Sequence, residues 1–266
     1  MRRMDSVLPI IATVVVAIGC GSGKPQDAAA TTQQSGPAGS AQAVPAATSS
    51  SAAHGTATIR GTIHLSGAAP ASEKIKMDAD PVCQQQHATP VYAEEVVAST
   101  DGALQNVFVR VKDGAKGPFP SPATPVTLDQ QGCWYHPHVF GIQVDQPLQI
   151  VNSDATLHNI NAKPTLNQPF NVAQPVQGMK TSKKFAKPEV MVKFKCNVHP
   201  WMSAYAGVVD NPFFSVSDAD GSFAITGLPA GTYVIEAWQE KYGTQNQTVS
   251  VADGETKAVD FTFKSQ

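Results

Sequence analysis

The segment Cys196-Asn-Val-His199-Pro-Trp-Met202 places a thiol, an imidazole and a thioether within one tight turn of chain. Soft sulfur together with imidazole selects copper or zinc over magnesium or calcium. The thioether tilts the choice to copper, because zinc sites draw on Cys, His and carboxylate. One thiolate and two imidazoles in a plane, with a long axial thioether, is the type 1 (blue) copper arrangement. It demands a second His from elsewhere in the fold. The stretch from Asn152 to Leu157 leads into His158-Asn159-Ile160, directly after an apolar run that ends at Val151. The candidate ligands are therefore His158, Cys196, His199 and Met202, for a single copper ion. A binuclear site with two bridging cysteines is excluded, since this loop carries only Cys196. No Ser-His-Asp order, paired-carboxylate signature or phosphate loop stands out, and the further ligands of a multicopper oxidase or nitrite reductase are missing. The chain is read as a binding protein and not as an enzyme.

These side chains need strands to hold them. Val190, Val192, Phe194 and Cys196 share one face of an alternating segment, with Met191, Lys193 and Lys195 on the other, so Cys196 should continue a buried face. Ala57 to Leu65 alternates, with Ile59, Gly61, Ile63 and Leu65 on one side, and Val107, Val109 and Val111 do likewise. Val139 to Val144 and Leu148 to Val151 are short apolar runs separated by Asp145-Gln146-Pro147. No sustained 3.6-residue period appears after Thr56, and charged residues make up only 15% against 20 Gly and 20 Pro, which favours turn-rich β structure. The expected class is all-β. Ser72 to Ala93 is less regular and suits a short helix or a long loop.

The ligand segment resembles the cupredoxins, and in loop length the amicyanins, whose C-x2-H-P-F-M is met here by Cys196-x2-His199-Pro-Trp-Met202 with Trp for Phe. Leu157-His158-Asn159-Ile160 is similar to the P-H-N-I or H-N-V segment of plastocyanin and amicyanin. The resemblance implies a Greek-key β-sandwich with His158, Cys196 and His199 as equatorial ligands and Met202 as the axial one. It also implies that Asn159 steadies the Cys loop by a hydrogen bond, that Ala206 to Val209 is the closing strand, and that the imidazole edge of His199 faces solvent as the port for electrons. Trp201 either forms an apolar docking surface around that edge or packs against the loop. The stretch before Val139 is longer than a small cupredoxin needs.

From Pro212 the pattern Asp218-Ala-Asp-Gly221, Phe223-Ala-Ile225, Leu228-Pro-Ala-Gly231 and Tyr233 resembles the carboxypeptidase regulatory-like β-sandwich. The matching stretch is short for a full copy of that unit. Asp218 and Asp220 are read as a hairpin turn, since the remaining oxygen ligands of a calcium loop are missing. The combination is similar to a group of bacterial proteins known as plastocyanin-like or methylamine-utilisation proteins.

Arg2 and Arg3 followed by the apolar run Val7 to Ile18 read as a secretion signal. Ala17-Ile18-Gly19-Cys20 resembles a bacterial lipobox, which implies lipidation of Cys20; an ordinary signal peptide with an incidental Cys is the alternative. Gly21 to Gly55 lacks large apolar residues and is expected to be a disordered tether reaching roughly 30 Å. In an oxidising compartment Cys83 and Cys133, which neither lipid nor metal accounts for, are expected to form a disulfide, with buried free thiols as the alternative. His87, His136 and His138 lie close enough to those cysteines to raise a second metal site, though ordinary surface positions are the simpler reading. The expected boundaries are 1–19 signal peptide, 20–55 linker, 56–211 copper domain with an N-terminal extension, and 212–266 regulatory-like domain. A formal charge of −2 without a Lys/Arg-rich block argues against nucleic acid as a partner. The expected role is one-electron transfer in the cell envelope, with a redox protein as partner and the membrane reached through the lipid. A copper-binding surface module without redox turnover is the alternative.

Overall fold

The computed structural model describes residues 54–265. The expected signal peptide, Cys20 and the linker up to residue 53 lie outside the described residues. The first described element is β1 (Ala57–Ser66), followed by a long connection carrying the short helix α1 (Pro81–Gln85) and then β2 (Phe108–Asp113). A consecutive block follows: β3 (Val126–Gln131), β4 (Trp134–His136), β5 (Val139–Gln143), β6 (Leu148–Asn152), β7 (His158–Ala162), β8 (Phe170–Gln174), β9 (Lys180–Lys183), β10 (Glu189–Lys195) and β11 (Ser203–Val209). The last strands are β12 (Phe214–Val216), β13 (Ser222–Leu228), β14 (Gly231–Gln239), β15 (Gly243–Val251), β16 (Thr256–Ala258) and β17 (Phe261–Lys264).

The class is all-β, as composition and periodicity indicate. The consecutive block makes one sandwich, with sheet order β5-β11-β10-β7-β8 over β4-β3-β6-β9. Leu128, Ile150, Ile160, Val192, Phe194 and Ala206 from the two sheets share its core. Alternation on β10 holds from Val192 to Cys196, but the register shifts between Glu189 and Val192, and Val190 turns with Met191 to the opposite face of the sheet.

The remaining strands form a second sandwich, and here the chain departs from the expected division between 56–211 and 212–266. β1 pairs with β13, β16 and β17, and β2 sits between β12 and β14. Residues 57–66 and 108–113 thus complete the C-terminal sandwich, and the block from β3 to β11 is inserted between β2 and β12. The physical reason is core supply. Ile59, Ile63, Leu65, Val109 and Val111 are buried against Phe223, Ile225, Ile235 and Phe261. Burying a side chain of this size stabilises by roughly 1.5–3 kcal/mol, so five of them rival the whole stability of a small domain. Alternation shows which face of a strand is buried but not which sheet it joins, which is why the partner strands were not legible.

The two sandwiches share a third, smaller core. β11 is buried on both faces: Ala204, Ala206 and Val208 enter the first core, while Tyr205 and Val209 meet Phe108 and Val139 on the other side. Gly141 and Gly207 make this contact possible. A Cβ on Gly207 would lie 2.3 Å from the Phe108 ring, and one on Gly141 would lie 2.2 Å from the Phe214 ring. Both rings therefore lie directly on the backbone of the sheet. Gly207→Ala should lower the unfolding free energy by about 1–3 kcal/mol through overpacking, measured by denaturant unfolding. Phe108→Leu in the same chain should return part of that loss; strict additivity of the two changes would show that the ring contact is not the cause.

Candidate metal centre

Cys196 follows directly on β10 and its sulfur is turned inward with Phe194 and Val192. The loop after it closes within seven residues. The His199 amide donates to Cys196 Sγ at 3.3 Å, the Met202 amide to the His199 carbonyl at 3.0 Å, and the Cys196 amide to the Met202 carbonyl at 3.3 Å. Met202 is fully buried in the same core as Cys196. Opposite, His158 opens β7, after a loop in which the Asn152 amide group donates to the Thr156 carbonyl at 2.9 Å and the Asp154 amide to Asn152 Oδ1 at 3.0 Å. The Asn197 amide donates to Asn159 Oδ1 at 3.1 Å, which ties the Cys loop to β7.

The two histidines and the thiol converge. His158 Nδ1 lies 3.0 Å from His199 Nδ1, and Cys196 Sγ lies 3.9 Å from His199 Nδ1. All three residues are buried. The outer nitrogen of each ring is committed to a carboxylate: His158 Nε2 to Asp154 at 2.8 Å and His199 Nε2 to Asp80 at 3.1 Å. An ionised carboxylate only accepts, so each Nε2 carries the hydrogen. The bond made by one nitrogen fixes the role of the other. Both Nδ1 lone pairs consequently point into the same small space beside a thiol. This donor set fits a soft or borderline cation such as copper.

Electrostatics agree with the geometry. Burial works against the Cys196 thiolate, but hydrogen bonds from His158 and His199, donated when a ring also carries a proton on Nδ1, and from the amides of His199 and Val198 outweigh it and bring the thiol down to about 6. Burial likewise opposes ionisation of Asp154, and His158 with the Cys133 and Gly132 amides reverses this, holding its carboxyl below the usual range. Those amides belong to the turn between β3 and β4, where Gly132 and Cys133 both adopt left-handed φ of 64° and 57°. Their N–H groups converge on the Asp154 carboxylate at 2.8 Å each, a small anion nest.

Cys83 and Cys133 form a disulfide. It lies against the site, with Cys83 Sγ 3.6 Å from His199 Nε2. This overturns the expected exposure of His199: the residue is only 2% exposed, covered by Asp80, α1 and the disulfide. The cause is the 72–93 segment, which has no counterpart in the resemblance. Trp201 packs here and does not form a free surface: its indole N–H donates to the Cys133 carbonyl at 3.0 Å, and its ring centroid lies 5.0 Å from that of His199. His87, His136 and His138 are not brought together. His87 donates to the Gly132 carbonyl at 2.6 Å, His136 faces the Gln131 carbonyl at 3.2 Å, and His138 sits between the Ser203 carbonyl and Glu240. Among the described residues no metal-holding cluster includes any of the three. Two further clusters, Cys83-Cys133-His199 and Cys133-Asp154-His158, draw on disulfide sulfurs; His158-Cys196-His199 alone offers a free thiol. Asp80 and Asp154 were not picked out in the sequence. Asp154 was findable, four residues before His158; Asp80, 119 residues from His199, gave no local signal.

Residues 209–264 match the carboxypeptidase regulatory-like domain family. No curated protein matches the chain. Among solved structures, a copper-containing nitrite reductase from Thermus scotoductus SA-01 overlaps 37% of this chain at 26% identity and a TM-score of 0.30. The overlap spans only 25% of that protein's length. A copper(I) amicyanin variant overlaps 38% of this chain and 97% of its own at 15% identity and a TM-score of 0.29. A purple cupredoxin from Nitrosopumilus maritimus overlaps 29% of this chain and 84% of its own at 23% identity and a TM-score of 0.26.

In the metal-free protein the ultraviolet thiolate band of Cys196 should titrate with a midpoint at about 6, well below the ordinary 9.0. The folded value is depressed, so the stability Cys196 contributes is fully present above the unfolded value and is lost as pH falls through about 6. His158→Gln should move the midpoint up. A midpoint near that of a free thiol in the unaltered protein would show that the histidines do not stabilise the thiolate.

Proposed function

We propose that the chain is a type 1 copper protein that transfers single electrons in the cell envelope. The observation that carries this reading is the convergence of two Nδ1 atoms and one thiol in a buried space, with both Nε2 atoms tied to carboxylates. Copper bound there would supply a one-electron couple between its two oxidation states. His158, Cys196, His199 and Met202 would hold it. The protein's part is rigidity. Two strands and a closed loop fix the donors so that neither oxidation state requires large rearrangement, and the surrounding hydrogen bonds set the balance between them. Lipidation at Cys20 would hold the carrier at a membrane, with a second redox protein as its partner.

A second reading is favoured by one observation. The covered His199 ring removes the direct port for electrons, which suits a copper-binding surface module without redox turnover.

Copper(II) added to the purified chain should produce an intense thiolate-to-copper band with narrow hyperfine splitting in EPR. Cys196→Ser should abolish both features, and Met202→Leu should retain copper while changing the reduction potential. Ordinary wide splitting with a weak band would sink the type 1 assignment. Reversible, fast voltammetry supports the carrier, whereas tight binding with sluggish exchange supports the surface module.

A further inference from the structure

The segment between Ser72 and Ala93 folds back on itself as a cap. Lys74 bridges to Tyr92, the Ile75 amide donates to the Val91 carbonyl at 2.9 Å, and the Ala93 amide to the Glu73 carbonyl at 2.8 Å. It is fixed over the candidate centre by the Cys83–Cys133 disulfide, by the His87 bond to the Gly132 carbonyl, and by Met77 and Cys83, both buried in the core of the first sandwich. Its strand neighbours β1 and β2 belong to the other sandwich. The cap is therefore an element lent to the site across the fold.

Asp80 is the polar residue the cap brings to it, and its two oxygens have separate tasks. Oδ1 caps α1 by accepting from the Val82 and Cys83 amides at 2.8 and 3.4 Å. Oδ2 meets His199 Nε2 at 3.1 Å and accepts from the Thr156 hydroxyl at 2.9 Å. Asp154 does the same for His158 from inside the first sandwich.

We propose that Asp80 is a positioning residue for His199: delivered by the cap, it holds the ring in its Nδ1-donating form and biases the bound copper toward the oxidised state. This rests on the copper reading above. Two effects act in the same direction. A carboxylate at the outer nitrogen raises the basicity of the imidazole, which strengthens donation to the more highly charged ion. A fixed negative charge beside the buried His199 ring also favours the ion of higher charge. With the Cys196 thiolate and Asp154 already present, Asp80 adds a third negative group to the centre.

The test uses the full chain with the disulfide intact. Asp80→Asn keeps a side-chain oxygen for the α1 cap, since Asn caps helices about as well as Asp, and removes the charge beside His199. It should shift the preference for copper(I) over copper(II) about tenfold toward copper(I), read from the reduction potential, and should alter the EPR hyperfine splitting. Unfolding of the metal-free protein should change little. Thr156→Val removes the hydroxyl that shares Oδ2 and leaves that oxygen to His199 alone, so it should shift the preference the opposite way, by less. An unchanged potential in Asp80→Asn, or shifts of the same sign in both variants, overturns the proposal. If Asp80→Asn fails to fold, Thr156→Val decides alone: a shift toward copper(II) supports the proposal, and no shift or the reverse overturns it. If the unaltered protein shows no thiolate-to-copper band, the copper reading itself fails; a normal band with an unresponsive Asp80→Asn defeats only the role of Asp80.

Discussion

Two imidazoles face each other through their Nδ1 atoms at 3.0 Å because two carboxylates hold the opposite nitrogens as donors. The rest of the site follows from that constraint. Lone pairs aimed at one another inside a core are unfavourable unless something positive lies between them. The chain nevertheless invests a disulfide, a helix cap and an amide nest in preserving the arrangement. Such an environment suits a cation, and the sulfur of Cys196 narrows the choice among cations.

The scaffold that bears this constraint is layered. The sheet carrying His158 and Cys196 packs one face on its own core and the other on the neighbouring sandwich. Its outer contacts are sealed by Phe108 on the bare backbone of Gly207, and by a polar cluster in which the Tyr205 hydroxyl donates to Glu240 at 2.5 Å while Lys193 donates to that same hydroxyl. Movement of β10 or β11 is therefore resisted from both sides, which keeps the side chains of Cys196 and its loop in place against His158.

Much of the site was legible because its information is local. Cys196, His199 and Met202 lie within seven residues, and His158 follows an obvious strand. The disulfide followed from asking which cysteines lacked another explanation. What escaped was long-range: the partnership of Asp80 with His199, and the placing of β1 and β2 in the far sandwich. Periodicity reports a buried face, and Ile59 or Val109 would show the same pattern in any sheet. One available clue was passed over. The run from Ala204 to Val209 contains no charge, which marks a strand enclosed on both faces. The expected solvent edge of His199 failed for a related reason: a likeness in one loop carries no information about an added segment folded over it.

The insertion also imposes an order on assembly. Thr62 on β1 ends up bonded to Asp260, 198 residues away, whereas β3 to β11 find all their sheet partners among themselves. A chain that emerges N-terminus first can complete the inserted sandwich while β1 waits, its apolar face unpaired, for the last strands to appear. Closing contacts of such long separation is slow, and an unpaired apolar strand is prone to wrong partners in the interval. The inserted sandwich, once formed, shortens the effective distance between β2 and β12, which pair with each other in the finished fold.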